Sequence, residues 1–351
     1  MKTSCLDLLP FFLRSGFAPL VILAAAVSFS TPAESGQPAV TAIKIEGGLK
    51  SLSSLQGNLF VETMSGKTLV IGQTNGQFQL TPKTRPPSAS QARPKDILPD
   101  GEVTSGNRNI RRAWLGSPTK RYGHAVLGDA VEAGSVVAEL ANGKIATFTL
   151  GEDAVFEDRY PRLVDIDGDG ADEILLVKSY LNRGAAAVVI SPAGSKLEKR
   201  AESAAIGLAH RWLNPVGVAD FDGDGVNEIA VVITPHIGGT LQLYEMKGNT
   251  LNEDISAHGF SNHQMGSRNL GLSAIGDFNK DGTPDIALPD ASRRNILGAT
   301  FVGGMFRELF RVPLTGPITT AIHAHDIDGD GQPEIIFGLA PDRLVVFSPA
   351  P

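Results

Sequence analysis

The sequence predicts an all-β fold made of one repeated unit, and three observations predict it. An acidic, glycine-punctuated loop occurs four times in the second half of the chain, beginning at residues 165, 220, 277 and 326. Each loop runs into a short apolar segment: Glu-Ile-Leu-Leu-Val from Glu173, Glu-Ile-Ala-Val-Val-Ile from Glu228, Asp-Ile-Ala-Leu from Asp285 and Glu-Ile-Ile-Phe from Glu334. Such brief apolar runs, bounded by glycine and proline, read as buried strands rather than helices. Glycine (39) and proline (22) are frequent, as they are where many strands need many turns. A unit recurring at this spacing sets a repeat architecture before any other feature is read.

The loops read Asp165-Ile-Asp-Gly-Asp-Gly-Ala-Asp-Glu173, Asp220-Phe-Asp-Gly-Asp-Gly-Val-Asn-Glu228, Asp277-Phe-Asn-Lys-Asp-Gly-Thr-Pro-Asp285 and Asp326-Ile-Asp-Gly-Asp-Gly-Gln-Pro-Glu334. Side-chain oxygens fall at positions 1, 3, 5 and 9, with glycine at 6. Calcium takes six to eight hard oxygen ligands on a tightly turned backbone, and a glycine there permits the turn. A helix–loop–helix site is excluded, because it needs a bidentate Glu at position 12. Here position 12 is Leu176, Val231, Leu288 and Phe337. Each ion is therefore expected in the turn of a β-hairpin.

After the second loop, segments from Gly239 to Glu245 and from Thr250 to Ile255 add a further hairpin across Gly248-Asn249. After the first, Ala186–Ser191 and a Pro192-Ala-Gly194 turn repeat the arrangement. Four antiparallel strands per unit of roughly 40 to 60 residues describe a propeller blade. Leu127–Glu139 reads as a degenerate copy, with Asp129 and Gly134 at positions 1 and 6 and the other ligand oxygens gone. The last unit stops one strand short after Arg343–Phe347, and Val40–Glu46 is the candidate to complete it. Leu59–Met64, Lys67–Gly72 and Gln77–Thr81 then build a first, metal-free blade within residues 40–81. Residues 82–109, with Pro82, Pro86, Pro87 and Pro94 among polar residues, read as a flexible insert, and 110–351 as the remaining blades. The prediction is an all-β β-propeller of about six or seven four-stranded blades with calcium-binding hairpin loops.

Residues 1–33 read as a cleavable export signal. Lys2 and Arg14 precede an uncharged apolar run from Phe17 to Val27, too short to span a bilayer comfortably, with cleavage expected between about Ser28 and Glu34. An uncleaved anchor is the alternative. Cys5 is the only cysteine and lies before that run, so the mature chain has neither disulfides nor thiol chemistry. Bound metal supplies the cross-linking instead. The formal charge is −7; without residues 1–30 (which hold Lys2, Arg14 and Asp7) it is 29 basic against 37 acidic residues, or −8. Four calcium ions would bring it near zero. No basic cluster tracks phosphates, which excludes nucleic acid.

The motif Asp-x-Asp/Asn-x-Asp-Gly-x-x-Asp/Glu followed by Ile and an apolar strand resembles the FG-GAP/VCBS repeat of integrin-α-like β-propellers, over roughly residues 120–351 and more weakly 40–81. The resemblance implies as ligands Asp165, Asp167, Asp169 and Glu173; Asp220, Asp222, Asp224 and Glu228; Asp277, Asn279, Asp281 and Asp285; and Asp326, Asp328, Asp330 and Glu334. The carbonyls of Ala171, Val226, Thr283 and Gln332 would complete the sets. The third loop, with Asn279 and Lys280, is expected to bind more weakly. The Phe-Gly and Gly-Ala-Pro element that names the repeat is not clean in this chain.

Other candidates are fewer. His323 and His325 share one face of the strand leading into the last loop and could line a channel. His258 and His263 fall in a connection between blades. Arg121-Tyr122, Arg159-Tyr160, Arg211-Trp212 and Arg268-Asn269 either grip a ligand or brace neighbouring blades. No nucleophile elbow, phosphate-cradling loop, dinucleotide fingerprint or zinc-protease motif is present. The reading is an exported, non-catalytic, calcium-stabilised propeller that binds a protein or glycan at the cell envelope and keeps no membrane span after signal cleavage. A carbohydrate-binding propeller is the alternative, and a polysaccharide lyase or hydrolase a further one.

Overall fold

The computed structural model describes residues 37–86 and 92–350. The export segment expected at 1–33, with Cys5, lies outside the described residues. What is described is all-β: 25 strands and no helix. None of it therefore offers a helix long and apolar enough to cross a membrane.

The strands fall into successive groups of four. After β1 (Ala39–Lys44), the first group is β2 (Leu49–Leu55), β3 (Asn58–Thr63), β4 (Thr68–Thr74) and β5 (Gln77–Pro82). The second is β6 (Thr104–Ser105), β7 (Ile110–Thr119), β8 (Glu132–Leu140) and β9 (Ile145–Thr149). After the linking strand β10 (Ala154–Phe156), the third comprises β11 (Arg162–Val164), β12 (Glu173–Tyr180), β13 (Gly184–Ala193) and β14 (Lys196–Ser203). The fourth is β15 (Leu213–Ala219), β16 (Glu228–Ile233), β17 (Thr240–Lys247) and β18 (Thr250–His258), and the fifth β19 (Ala274–Gly276), β20 (Asp285–Pro289), β21 (Asn295–Thr300) and β22 (Arg307–Pro313). The sixth holds β23 (His323–His325), β24 (Glu334–Leu339) and β25 (Arg343–Ser348), with β1 as its outer strand. β1 runs antiparallel to β25 in register from Ala39↔Ser348 to Lys44↔Arg343, so the two ends of the described chain share one sheet. Groups two to four join into thirteen strands through single pairings at their margins, Phe156↔Ala133 and a two-residue parallel contact of β14 with β18.

The unbroken apolar runs have a simple cause: their strands are buried on both faces. In β12, Ile174 and Leu176 pack into a core shared with group two, while Leu175 and Val177 pack into one shared with group four. In β16, Ile229 and Val231 face group three and Ala230 and Val232 face group five. β24 repeats this, with Ile335 and Phe337 toward group five and Ile336 toward group one. Five apolar cores thus join the groups in series, from the second round to the first. Among the described residues no comparable core joins group one to group two. There Ile97 instead covers Trp114 and Val137 on the far face of group two. Outer strands read differently: β18 alternates buried Leu251, Ile255 and Ala257 with exposed polar residues, as a one-sided edge strand does.

Several boundaries differ from expectation. β2 was not anticipated, because a bulge between Leu49 and Ser51 breaks its alternation. Pro192 and Ala193 remain paired within β13, and the turn is Gly194-Ser195. The stretch 127–139 is not a degenerate acidic loop. It leads from the second to the third strand of its group, and the topological counterpart of the acidic loops is Gly106–Asn109, between β6 and β7. Within the stretch read as an insert, Leu98 is buried, and Trp114 Nε1 donates to Asp96 Oδ1 at 3.1 Å.

Candidate metal centre and a buried histidine cluster

Each acidic loop joins the first and second strands of its group, and all four fold by one hydrogen-bond scheme. The glycine N–H at position 6 donates to the position 1 carboxylate, as Gly170 to Asp165, Gly225 to Asp220 and Gly282 to Asp277 (2.9 Å each) and Gly331 to Asp326 (3.0 Å). The N–H at position 7 donates to position 5: Ala171 to Asp169, Val226 to Asp224, Thr283 to Asp281 and Gln332 to Asp330, at 2.7 to 2.9 Å. The N–H at position 2 donates to the acid at position 9, as Ile166 to Glu173 and Phe221 to Glu228. Phe278 and Ile327 do the same to Asp285 and Glu334. The glycines at position 6 all sit at φ between 87° and 90°, which side chains rarely adopt. Lys280 occupies the left-handed region at position 4 of the third loop (φ 57°), where the other loops have glycine.

This scheme leaves one set of oxygens pointing at one another. Asp220, Asp222, Asp224 and Glu228 each bring an oxygen within 4.8 Å of the others; so do Asp165, Asp167 and Glu173, and Asp326, Asp328 and Glu334. Among the described residues the third loop forms no such group of three acids. Its Asn279 turns its amide nitrogen toward Asp281 (2.8 Å). Glu228 Oε1, Asp285 Oδ1 and Asp165 Oδ1 are buried and meet no hydrogen-bond partner. Buried acceptors without donors are costly, and a hard cation satisfies them. Burial first, and then the neighbouring aspartates, push Glu173, Glu228 and Glu334 up to about 7 and Asp285 to about 6. A cation relieves the same crowding.

Two loops are also touched by a cation from the preceding group. Arg108 Nη1 lies 3.1 Å from Asp165 Oδ2 and 3.3 Å from Asp172 Oδ1. Lys280 Nζ lies 3.3 Å from Asp330 Oδ2, and Asp330 stands apart from its loop's gathered set. The second loop has all four acids gathered and no such cation among the described residues.

A family model for the FG-GAP-like repeat matches residues 165–231 and again 220–288. The chain contains FG-GAP-like repeats over residues 165–288. No curated protein matches it. The two matched segments overlap on the second acidic loop, the most complete of the four.

The other end of the FG-GAP groups carries a different cluster. Four of the seven histidines gather there around Trp212. His236 Nε2 and His263 Nδ1 are 2.8 Å apart, and His263 Nε2 faces the Ser267 carbonyl at 2.9 Å. A carbonyl only accepts, so His263 carries its proton on Nε2 and His236 donates to Nδ1. Burial holds both well below the usual range, at about 4, with Arg293 contributing. Trp212 stacks on His236 (6.0 Å, 5°) and donates to the Glu157 carbonyl at 3.0 Å. Beside it His124 and His210 stack at 5.0 Å, with Tyr122 at their edge. His124 Nδ1 donates to the buried Glu157 carboxylate at 2.7 Å, and Ser179 Oγ donates to its other oxygen at 2.6 Å.

His263 lies in the connection between β18 and β19, as expected, whereas His258 does not. In the structure His258 ends β18, is exposed and meets Thr240 Oγ1, whereas His263 is fully buried. His124, His210, His236 and Glu157 were missed; the available signal was a histidine within two residues of Tyr122 and of Trp212. Both those rings are buried, at 7 % and 2 % exposure, and offer no face to a sugar. Three of the four arginines act as braces. Arg121 bonds the Ala154 and Gly151 carbonyls, Arg159 the carbonyls of Arg268 and Asp100, and Arg268 the acids Asp100 and Asp129. His323 and His325 are half-buried on β23, and His323 Nε2 meets no partner.

Proposed function

We propose that the chain is an exported, calcium-stabilised β-propeller that serves as a protein interaction module of the adhesion type, without catalysis of its own. The six groups of four strands are its blades, and β1 completes the last. One observation carries the calcium assignment. A hydrogen-bond scheme repeated in all four loops ties the acids at positions 1 and 9 to the backbone, and in three loops it leaves acidic oxygens within 4.8 Å of one another, Asp165 Oδ1 and Glu228 Oε1 among the buried ones without a partner. Asp220, Asp222, Asp224 and Glu228, with the Val226 carbonyl, would hold the tightest ion. The sets around Glu173 and Glu334 follow, and the third loop (Asp277, Asn279, Asp281, Asp285) is weakest. Bound calcium supplies charge neutralisation and a clamp between the first two strands of each blade.

Retention of a cell-envelope protein by the mature chain in calcium, and not in chelator, tests the module reading. Catalytic turnover of an envelope glycan by the purified chain would overturn it. Calorimetric titration tests the order of the sites: Asp224→Ala should abolish the tightest binding step. Lys280→Ala frees Asp330 and should tighten the fourth loop several-fold. An unchanged isotherm for Lys280→Ala would mean that the lysine does not compete with the ion.

A further inference from the structure

A cleft of about 470 Å³ opens between the fifth and sixth groups, within the range of small-ligand pockets. Arg293 and Arg294, on the turn between β20 and β21, lie at its wall with Gln264. Leu272, Leu314 and Ile318 supply its apolar surface. We propose that this cleft binds the C-terminal carboxylate of a partner polypeptide whose last side chain is apolar. The proposal rests on the reading of the chain as a protein-binding module and names what that module grips.

In a chain of net charge −7, the cleft is locally basic. Neither guanidinium is paired with the acid nearest to it in sequence. Asp290, the acid of the same turn, is engaged by Arg311 at 3.6 Å, by Ser292 Oγ at 2.8 Å and by Asn295 Nδ2 at 2.7 Å. It also accepts the Arg294 backbone N–H at 3.0 Å, so it shapes the turn instead of neutralising the arginine side chains. Arg293 Nη1 donates to Ser261 Oγ at 3.0 Å, which fixes its position, and its backbone sits in the left-handed region at φ 54°. Among the described residues neither guanidinium meets a carboxylate within ion-pair distance.

A fixed guanidinium beside a free one suits the two oxygens of a carboxylate. The leucine and isoleucine surface suits an aliphatic side chain next to it, and capture of a chain terminus is a recurrent mode of peptide recognition. No aromatic ring lines the cleft, so a sugar has no stacking platform there. All these residues lie in connections at the end of the sheets opposite the acidic loops, so ligand and calcium would occupy separate ends of the molecule.

The test uses the mature chain in calcium and fluorescently labelled hexapeptides ending in leucine, as free acid and as amide, followed by anisotropy. The free acid should bind at least tenfold more tightly than the amide. Arg294→Gln, at an exposed side chain, should remove that preference, and Arg293→Lys should weaken it by losing the planar fork. Equal binding of acid and amide, no binding of either, or indifference to Arg294→Gln overturns the proposal. So does binding of a sulfated oligosaccharide in place of the peptides. An envelope protein retained equally by wild type and Arg294→Gln would leave the module reading standing and the cleft assignment refuted. Absence of any retained protein, with acid-selective peptide binding intact, would do the reverse.

Discussion

Transfer of the protein from calcium to chelator is expected to lower its melting temperature by on the order of 10 °C. An ion held at 100 times its dissociation constant adds about 2.7 kcal/mol per site. Three gathered sets therefore add roughly 8 kcal/mol, and 1 kcal/mol moves a chain of 150–250 residues by about 2–4 °C, less for a larger one. The loss should also change how stability responds to pH. In chelator, Glu173, Glu228 and Glu334 sit at about 7 and Asp285 at about 6, above the ordinary carboxylate range of the unfolded chain. The folded state then binds more protons than the unfolded state between about pH 4.5 and 7, so these groups lose stability as pH rises through that window. In calcium the same acids are ionised in the folded chain, as they are in the unfolded chain above about pH 4.5, so their contribution is level over the same window.

The buried pair His236 and His263 works against the chelator trend. Held at about 4, these residues take up protons on unfolding below about 6.5, so their contribution grows as pH rises from 4 to 6.5. They are present equally in both conditions. The difference between the calcium and chelator melting curves, measured from pH 4.5 to 7.5, therefore isolates the acidic loops and should widen steadily with pH. A gap that is constant across that range would sink the assignment of Glu173, Glu228 and Glu334 as ion-linked groups.

How much of this was legible in the sequence depends on the range of the interaction. The acidic loops are local: nine consecutive residues carry ligands, turn and following strand, so Asp220–Glu228 announces itself without a fold. Two-sided burial of β12 and β16 was legible as unbroken apolar runs. Strand β2 was hidden by its bulge, and the copy read at Asp129 was a chance match of an Asp and a Gly. The histidine cluster was illegible for a deeper reason. His124, His210, His236 and His263 come from four separate connections and meet only because the groups stack, and nothing local distinguishes a buried His263 from an exposed His258. The Arg293 cleft likewise draws on three separate connections.

Trp212→Ala is expected to be the most damaging single substitution at that cluster. Trp212 is 2 % exposed and packs with Leu213, Ile229, Val177 and Val189 in the core between the third and fourth groups. Truncating a buried tryptophan costs about 3–5 kcal/mol, through lost apolar contact and the cavity left behind. Two further consequences follow from its neighbours. The Glu157 carbonyl loses the indole donor at 3.0 Å, and His236 loses the ring stacked on it. Trp212→Phe separates these effects, because it keeps much of the apolar contact while leaving the carbonyl unpartnered, a cost of about 1–3 kcal/mol. Solvent admitted by Trp212→Ala should also let His236 and His263 titrate nearer 6.5, so the variant's stability should vary less between pH 4 and 6.5 than that of wild type. Histidine resonances followed by NMR read this directly. Should both imidazoles still titrate near 4 in Trp212→Ala, the indole does not shield them, and the cluster is held together by the His236–His263–Ser267 hydrogen bonds alone.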